Sequence, residues 1–139
     1  MALWYVQGQE FQGDTHFKCK ERRGLGAVMK VDKPWGYEIR WAITDKYLGK
    51  ILRINPGERL SRQYHEQKDE SIYVLNGTLV LELGDEENFE KIILGEGGTW
   101  HITPGTIHRF CAPSGGCTLI EVSTPEIDDV VRLQDDYGR

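Results

Sequence analysis

The chain has 139 residues, 39% hydrophobic and 28% charged, and its 17 basic and 22 acidic side chains leave a formal net charge of −5. That length suits one domain with its own core, and the acidic balance argues against nucleic acid, which needs a basic surface. No apolar run approaches the roughly 20 residues of a membrane span.

The N-terminal MALWYVQGQE lacks the basic start and long apolar stretch of a secretory signal. The expectation is therefore a cytoplasmic protein with no membrane partner. Cys19, Cys111 and Cys117 form no C-x-x-C pair, which excludes a zinc ribbon or a thioredoxin-like motif. Reduced thiols are expected, with a Cys111–Cys117 bridge across a hairpin as the alternative.

Residues 1–30 show no regular pattern and are expected to add strands to a sheet ahead of one domain over 31–139. From there, alternation with period two dominates. YLGKILRIN (47–55), SIYVLNGTLVLEL (71–83), FEKIILGEG (89–97) and CTLIEVST (117–124) read as strands rich in β-branched residues. Turn signals separate them at Pro56-Gly57, Gly84-Asp85, Gly97-Gly98, Pro104-Gly105 and Ser114-Gly115-Gly116. Asn76-Gly77, between IYVL and TLVLEL, predicts a tight hairpin. Short strands at this spacing point to an all-β antiparallel sandwich or barrel. The acidic tail PEIDDVVRLQDDYGR predicts a short helix or an extended arm.

The chemistry concentrates in RQYHEQKDE (62–70). Residues two apart on a strand share a face, so Gln63 and His65 look the same way. If the strand that starts at Glu70 pairs with theirs, Glu70 comes beside His65. His108, after the turn in TPGTIH, supplies a second imidazole from a third strand. Gln63, His65, Glu70 and His108 together offer a mixed N/O sphere suited to Zn²⁺, and equally to Mn²⁺, Fe²⁺, Co²⁺ or Ni²⁺.

The glycine frame around these residues is specific. Gly57 precedes Gln63 by six positions and Gly77 follows Glu70 by seven, while Gly105 stands three before His108. These spacings resemble the two motifs of the cupin superfamily, G-x5-H-x-H-x(3,4)-E-x6-G and G-x5-P-x-G-x2-H-x3-N. Gln63 replaces the first histidine, Thr103 the proline and Ala112 the terminal asparagine. Within that superfamily the glutamine resembles the Gln, His, Glu, His zinc set of phosphomannose isomerases. KPWGYEIRW (33–41), INPGERLSRQYHEQKDESIYVLNGT (54–78), ITPGTIHRF (102–110) and EIDDVVRLQDDYGR (126–139) are similar to segments of the type II enzymes, which are often fused to a guanylyltransferase domain. The resemblance covers residues 31–139. Where those enzymes carry H-H-H-R-A-E-H-W, this chain has His65-Glu66-Gln67-Lys68-Asp69-Glu70-Ser71-Ile72.

The resemblance implies a single-domain cupin, that is a double-stranded β-helix or jelly-roll barrel, with a metal held by Gln63, His65, Glu70 and His108 and zinc the first choice. It implies interconversion of mannose 6-phosphate and fructose 6-phosphate through a cis-enediol, and a homodimer. Glu70 and Arg109 are the catalytic candidates, because a carboxylate can move the proton and a guanidinium fork suits phosphate or an enediolate oxygen. Lys33, Arg53, Arg62 and Gln67 are the substrate-binding candidates. Two other readings are open: a small metal-dependent dioxygenase, whose iron generally wants three histidines, and a sugar- or metabolite-binding module without catalysis.

Overall fold

The computed structural model describes residues 28–139, together with the backbone of two earlier strands, β1 (Ala2–Val6) and β2 (Gln9–Gly13). The next six are β3 (Met29–Lys33), β4 (Gly36–Ile43), β5 (Leu48–Ile54), β6 (Arg62–Tyr64), β7 (Glu70–Gly77) and β8 (Leu79–Gly84). They are followed by β9 (Phe89–Leu94), β10 (Thr99–Ile102), β11 (His108–Cys111), β12 (Cys117–Ser123) and β13 (Val131–Gln134). Among the described residues no helix is long and apolar enough to cross a membrane.

Two antiparallel sheets face each other. One has the order β10-β7-β12-β5-β4-β3 and the other β13-β6-β11-β8-β9. Strand alternation decides what lies between them. Leu52 and Ile54 of β5, Ile72 and Val74 of β7, Leu79 and Leu81 of β8, Phe110 of β11 and Leu119 of β12 all point inward and are buried together. The same inward rows turn polar at one end. Lys50 continues the row of Leu52 and Ile54, Glu121 that of Cys117 and Leu119, Glu70 that of Ile72 and Val74, and His108 that of Phe110. The barrel therefore has an apolar end, which holds the sheets together, and a charged end, which is the candidate site.

One sequence expectation changes here, and several alternatives are decided. Asn76-Gly77 does not make a hairpin: β7 and β8 belong to different sheets, and Asn76 and Gly77 still pair with Thr118 and Cys117 of β12. A hairpin and a sheet-crossing corner both put Ile72, Val74, Leu79 and Leu81 on one face, so alternation could not separate them. The corner prevails because β8 gains β9 and β11 as partners on the opposite sheet. The C-terminal segment is extended and forms β13 against β6, so the short helix is not present. Cys111 and Cys117 are free thiols rather than a bridge. Of the segment expected to add strands to a sheet, β1 and β2 pair with each other as a separate two-stranded sheet, while β3 borders the six-stranded one. His16 and Cys19 lie outside the described residues.

Gly77 shows why the corner needs glycine. Its φ is +80°, and a Cβ there would lie 2.4 Å from the carbonyl oxygen of Gly116. Gly57 has φ +77° with no atom within 4 Å of such a Cβ. Gly57→Ala is expected to cost only the left-handed backbone term, about 1–2 kcal/mol. Gly77→Ala is expected to cost a further ~1–3 kcal/mol from overpacking. Urea denaturation of the two variants measures the difference, and equal losses would contradict the crowded corner.

Candidate metal centre

His65 follows β6, Glu70 opens β7 and His108 opens β11. β6 and β7 lie in opposite sheets, so the pairing expected to bring Glu70 beside His65 does not exist. The two meet instead across the interior, where the sheets converge. Glu70 Oε1 lies 3.4 Å from His65 Nε2 and 3.3 Å from His108 Nε2, and the two imidazole centroids are 5.2 Å apart. All three side chains are buried, and their ligand atoms fall within 4.8 Å of one another.

Both rings are oriented through their other nitrogen. His65 Nδ1 is 2.5 Å from the main-chain oxygen of Asp129, and His108 Nδ1 is 2.8 Å from that of Thr106. A carbonyl oxygen can only accept, so each ring carries a proton on Nδ1 and turns Nε2, the nitrogen that can ligate, inward. His65 Nε2, His108 Nε2 and Glu70 Oε1 are buried with no hydrogen-bond partner. Buried polar atoms are normally satisfied; three that converge on one point are what a divalent cation requires. Gln63 stands opposite His108 in the β6–β11 pair and lines the adjoining cavity, where its Oε1 accepts from Ser61 Oγ at 2.7 Å. The donor set thus fits a metal, with Gln63 beside it on the same wall.

Burial pushes the Glu70 carboxyl up, but His108, His65 and Lys68 outweigh it and hold the group well below the usual carboxylate range. Lys68 Nζ is 2.5 Å from Glu70 Oε2 and 3.6 Å from Glu121 Oε1. Burial pushes Lys68 down, yet Glu121 and Glu70 raise it above its ordinary value. Lys50 sits 3.6 Å from Glu121 and 3.6 Å from Glu38, which in turn meets Arg40 at 2.7 Å and Lys33 at 3.7 Å. Burial, followed by the Glu70 charge, raises Glu121. Lys33 is lowered, chiefly by burial. Beside the His65, Glu70 and His108 cluster lies a cavity of about 300 Å³, walled by this ladder and by Ile127–Val130 and Arg132 of the C-terminal arm.

Of the residues singled out from the sequence, Gln63, His65, Glu70, His108 and Lys33 come together here. Arg109 does not. Strand alternation turns it out of the barrel, where its guanidinium donates to Leu60 O, Gln134 Oε1 and Asp136 Oδ1 and is covered by the arm. Arg62 is likewise spent, on Glu82 and Gly84. Arg53 bonds Thr118 on the outer face of its sheet. Gln67 is exposed and donates only its backbone N–H, to Asp129. The residues missed are Lys68, Lys50, Glu38 and Arg40. A charge in an otherwise apolar inward row, as at Lys50 and Glu121, is the pattern that locates such a wall.

Residues 50–123 match the family described as Cupin domain. Among curated proteins the chain is 33% identical over 114 residues to "Xanthan biosynthesis protein XanB" of Xanthomonas campestris pv. campestris, covering 79% of this chain and 24% of that one. It is 36% identical over 116 residues to "Mannose-1-phosphate guanylyltransferase ManC" of Salmonella typhimurium, covering 79% and 23%. "Alginate biosynthesis protein AlgA" of Pseudomonas aeruginosa is 30% identical over 114 residues, with 79% and 23% covered. The chain therefore spans about a quarter of these relatives. Among solved structures, KdgF from Halomonas sp. superimposes with a TM-score of 0.63 at 23% identity, over 72% of this chain and 90% of that one. Oxalate decarboxylase from Bacillus subtilis does so at 0.65 and 20%, over 77% and 30%. These two likenesses establish the shared fold.

Lys68→Met leaves two buried carboxylates facing each other without their shared cation. It is expected to lower the stability of the metal-free protein by about 3–5 kcal/mol, measured by urea unfolding in the presence of a chelator. A loss below 1 kcal/mol would contradict the ladder.

Proposed function

We propose that this chain, which belongs to the cupin family, is a metal-dependent sugar-phosphate isomerase that interconverts an aldose phosphate and its ketose, with mannose 6-phosphate and fructose 6-phosphate the first substrates to test. The observation that carries this reading is the convergence of His65 Nε2, His108 Nε2 and Glu70 Oε1, unpartnered, at the edge of a cavity with an excess of cations. Six basic side chains line that cavity against four acidic ones, and the Asp129 carboxylate is already committed to backbone N–H groups. A divalent cation adds to the excess, so an anionic ligand offsets it better than a neutral sugar. Relatives whose printed names include mannose-1-phosphate guanylyltransferase support a sugar phosphate as the ligand class.

In this reading zinc, or another divalent cation held by His65, Glu70, His108 and Gln63, supplies positive charge where the carbonyl and hydroxyl oxygens gain negative charge. Lys33, Arg40 and Arg139 line the cavity away from the ladder's Lys68 end; Arg40 is paired with Glu38 and Arg139 with Asp135, and we assign Lys33 to the phosphate. Glu121 Oε2 is buried and without a hydrogen-bond partner; we assign it the proton transfer between the two carbons. Glu70 holds Lys68 with Oε2 and turns Oε1 to the point where the two Nε2 atoms converge, so we make it the ligand rather than the proton carrier. Lys50 and Lys68 hold Glu121 from both sides. We extend the reading to a homodimer.

Zinc-loaded protein is expected to interconvert the two hexose phosphates, and chelation is expected to abolish turnover with recovery on re-addition. His65→Ala and His108→Ala are expected to bind metal more weakly and to lose turnover, while Glu121→Gln retains metal affinity and loses at least 10²-fold in kcat. Coupled-enzyme assay and elemental analysis check this. Bound metal with no turnover of any hexose or pentose phosphate would favour a binding module instead, and oxygen uptake by the iron-loaded protein would favour a dioxygenase.

A further inference from the structure

Four consecutive residues, Glu66 to Asp69, connect the ligands His65 and Glu70, and none of their backbone N–H groups bonds within the loop. The Asp129 carboxylate accepts from Glu66 N at 3.0 Å, Gln67 N at 2.7 Å and Lys68 N at 2.8 Å. Thr124 Oγ1 accepts from Asp69 N at 3.0 Å, and Thr124 N donates back to Asp69 O at 3.0 Å. All four N–H groups are thus taken by the segment that follows β12. The main-chain oxygen of the same Asp129 receives His65 Nδ1. Successive N–H groups that converge on one carboxylate form an anion-holding concavity, and here the anion belongs to the protein.

From this arrangement we propose that Asp129 is the positioning residue of the metal centre: its carboxylate sets the loop that spaces His65 from Glu70, and its carbonyl sets the tautomer and rotation of the His65 ring. The inference rests on the metal reading above and extends it to a residue that touches neither metal nor substrate. It also couples two parts of the site. Ile127, Asp128 and Val130, neighbours of Asp129, line the cavity, so the arm that walls the ligand cavity is the template for the metal ligands. Linkage then requires metal binding to strengthen docking of the arm, and docking of the arm to strengthen metal binding.

The geometry separates this role from general support. Arg59 and Arg109 already tie the distal arm to the barrel through Asp136, and β13 pairs with β6. Loss of the Asp129 carboxylate releases the loop at 66–68 while those anchors remain.

The test uses the full chain and Co²⁺ as probe. Asp129→Ala is expected to weaken Co²⁺ binding about 10–100-fold, the range found when a ligand's supporting partner is removed, and Asp129→Asn by less, because its amide oxygen still accepts. In a His65→Ala background the further effect of Asp129→Ala is expected to shrink below about threefold. Equal Co²⁺ affinity in wild type and Asp129→Ala overturns the proposal. So does an effect of the same size in both backgrounds, since that is what general destabilisation produces. In metal-free wild-type protein, ¹⁵N chemical shifts of the imidazoles are expected to show His65 as the Nδ1–H tautomer, because the main-chain oxygen of Asp129 accepts from it. An Nε2–H tautomer overturns the role of the carbonyl. Wild-type protein that binds no Co²⁺ overturns the metal reading itself, and the tautomer measurement then still decides whether Asp129 orients His65.

Discussion

A carboxylate enclosed on all sides is costly unless partners replace its water, and Glu70 is such a group, only 2% exposed. Two imidazoles and the Lys68 ammonium surround it, and their attraction exceeds the burial penalty. The charged end of the barrel follows from meeting that requirement. Lys68 must be buried to reach Glu70, which calls for Glu121. Glu121 calls for Lys50, and Lys50 for Glu38. Each step crosses to a neighbouring strand or stays on an inward row, so antiparallel register carries the alternation of sign across the sheet. The apolar end needs no such arrangement, and its side chains simply fill the space between the sheets.

The same requirement explains why the C-terminal arm is extended. A helix over 126–139 would satisfy its own backbone. The extended arm instead gives β13 to β6, side chains to Arg59 and Arg109, and the Asp129 and Thr124 acceptors to the loop between His65 and Glu70. Arg109, beside His108 in the chain, is consumed in holding this arm. Neighbouring residues on a strand face opposite ways, and the sequence therefore sets an inward imidazole of the candidate site and a structural cation next to each other.

Much of this was legible beforehand. Glycine spacing together with the Gln63, His65, Glu70 and His108 set pointed to three side chains that do converge, and period-two alternation found the strands that bury them. What was not legible depends on which strands share a sheet. His65 and Glu70 meet across the barrel, not along a hairpin, and Asn76-Gly77 turns a corner between sheets. Neither follows from local pattern, because pairing partners lie far apart in the chain, as with Asn76 and Thr118. The candidate cations failed for a related reason. Arg53 and Arg62 were chosen by residue type and Arg109 by the family resemblance, whereas Lys50 and Lys68 face the cavity because of their parity on the strand or their place in the loop between His65 and Glu70.

The central claim is that His65, Glu70 and His108 form one metal site between the two sheets. X-ray absorption at the metal edge, on protein loaded with a single equivalent of zinc, tests it most directly. The account predicts outer-shell scattering from two imidazoles with the remaining near neighbours oxygen, and loss of one imidazole in His108→Ala. A spectrum with no histidine scattering, or one unchanged by His108→Ala, would contradict it.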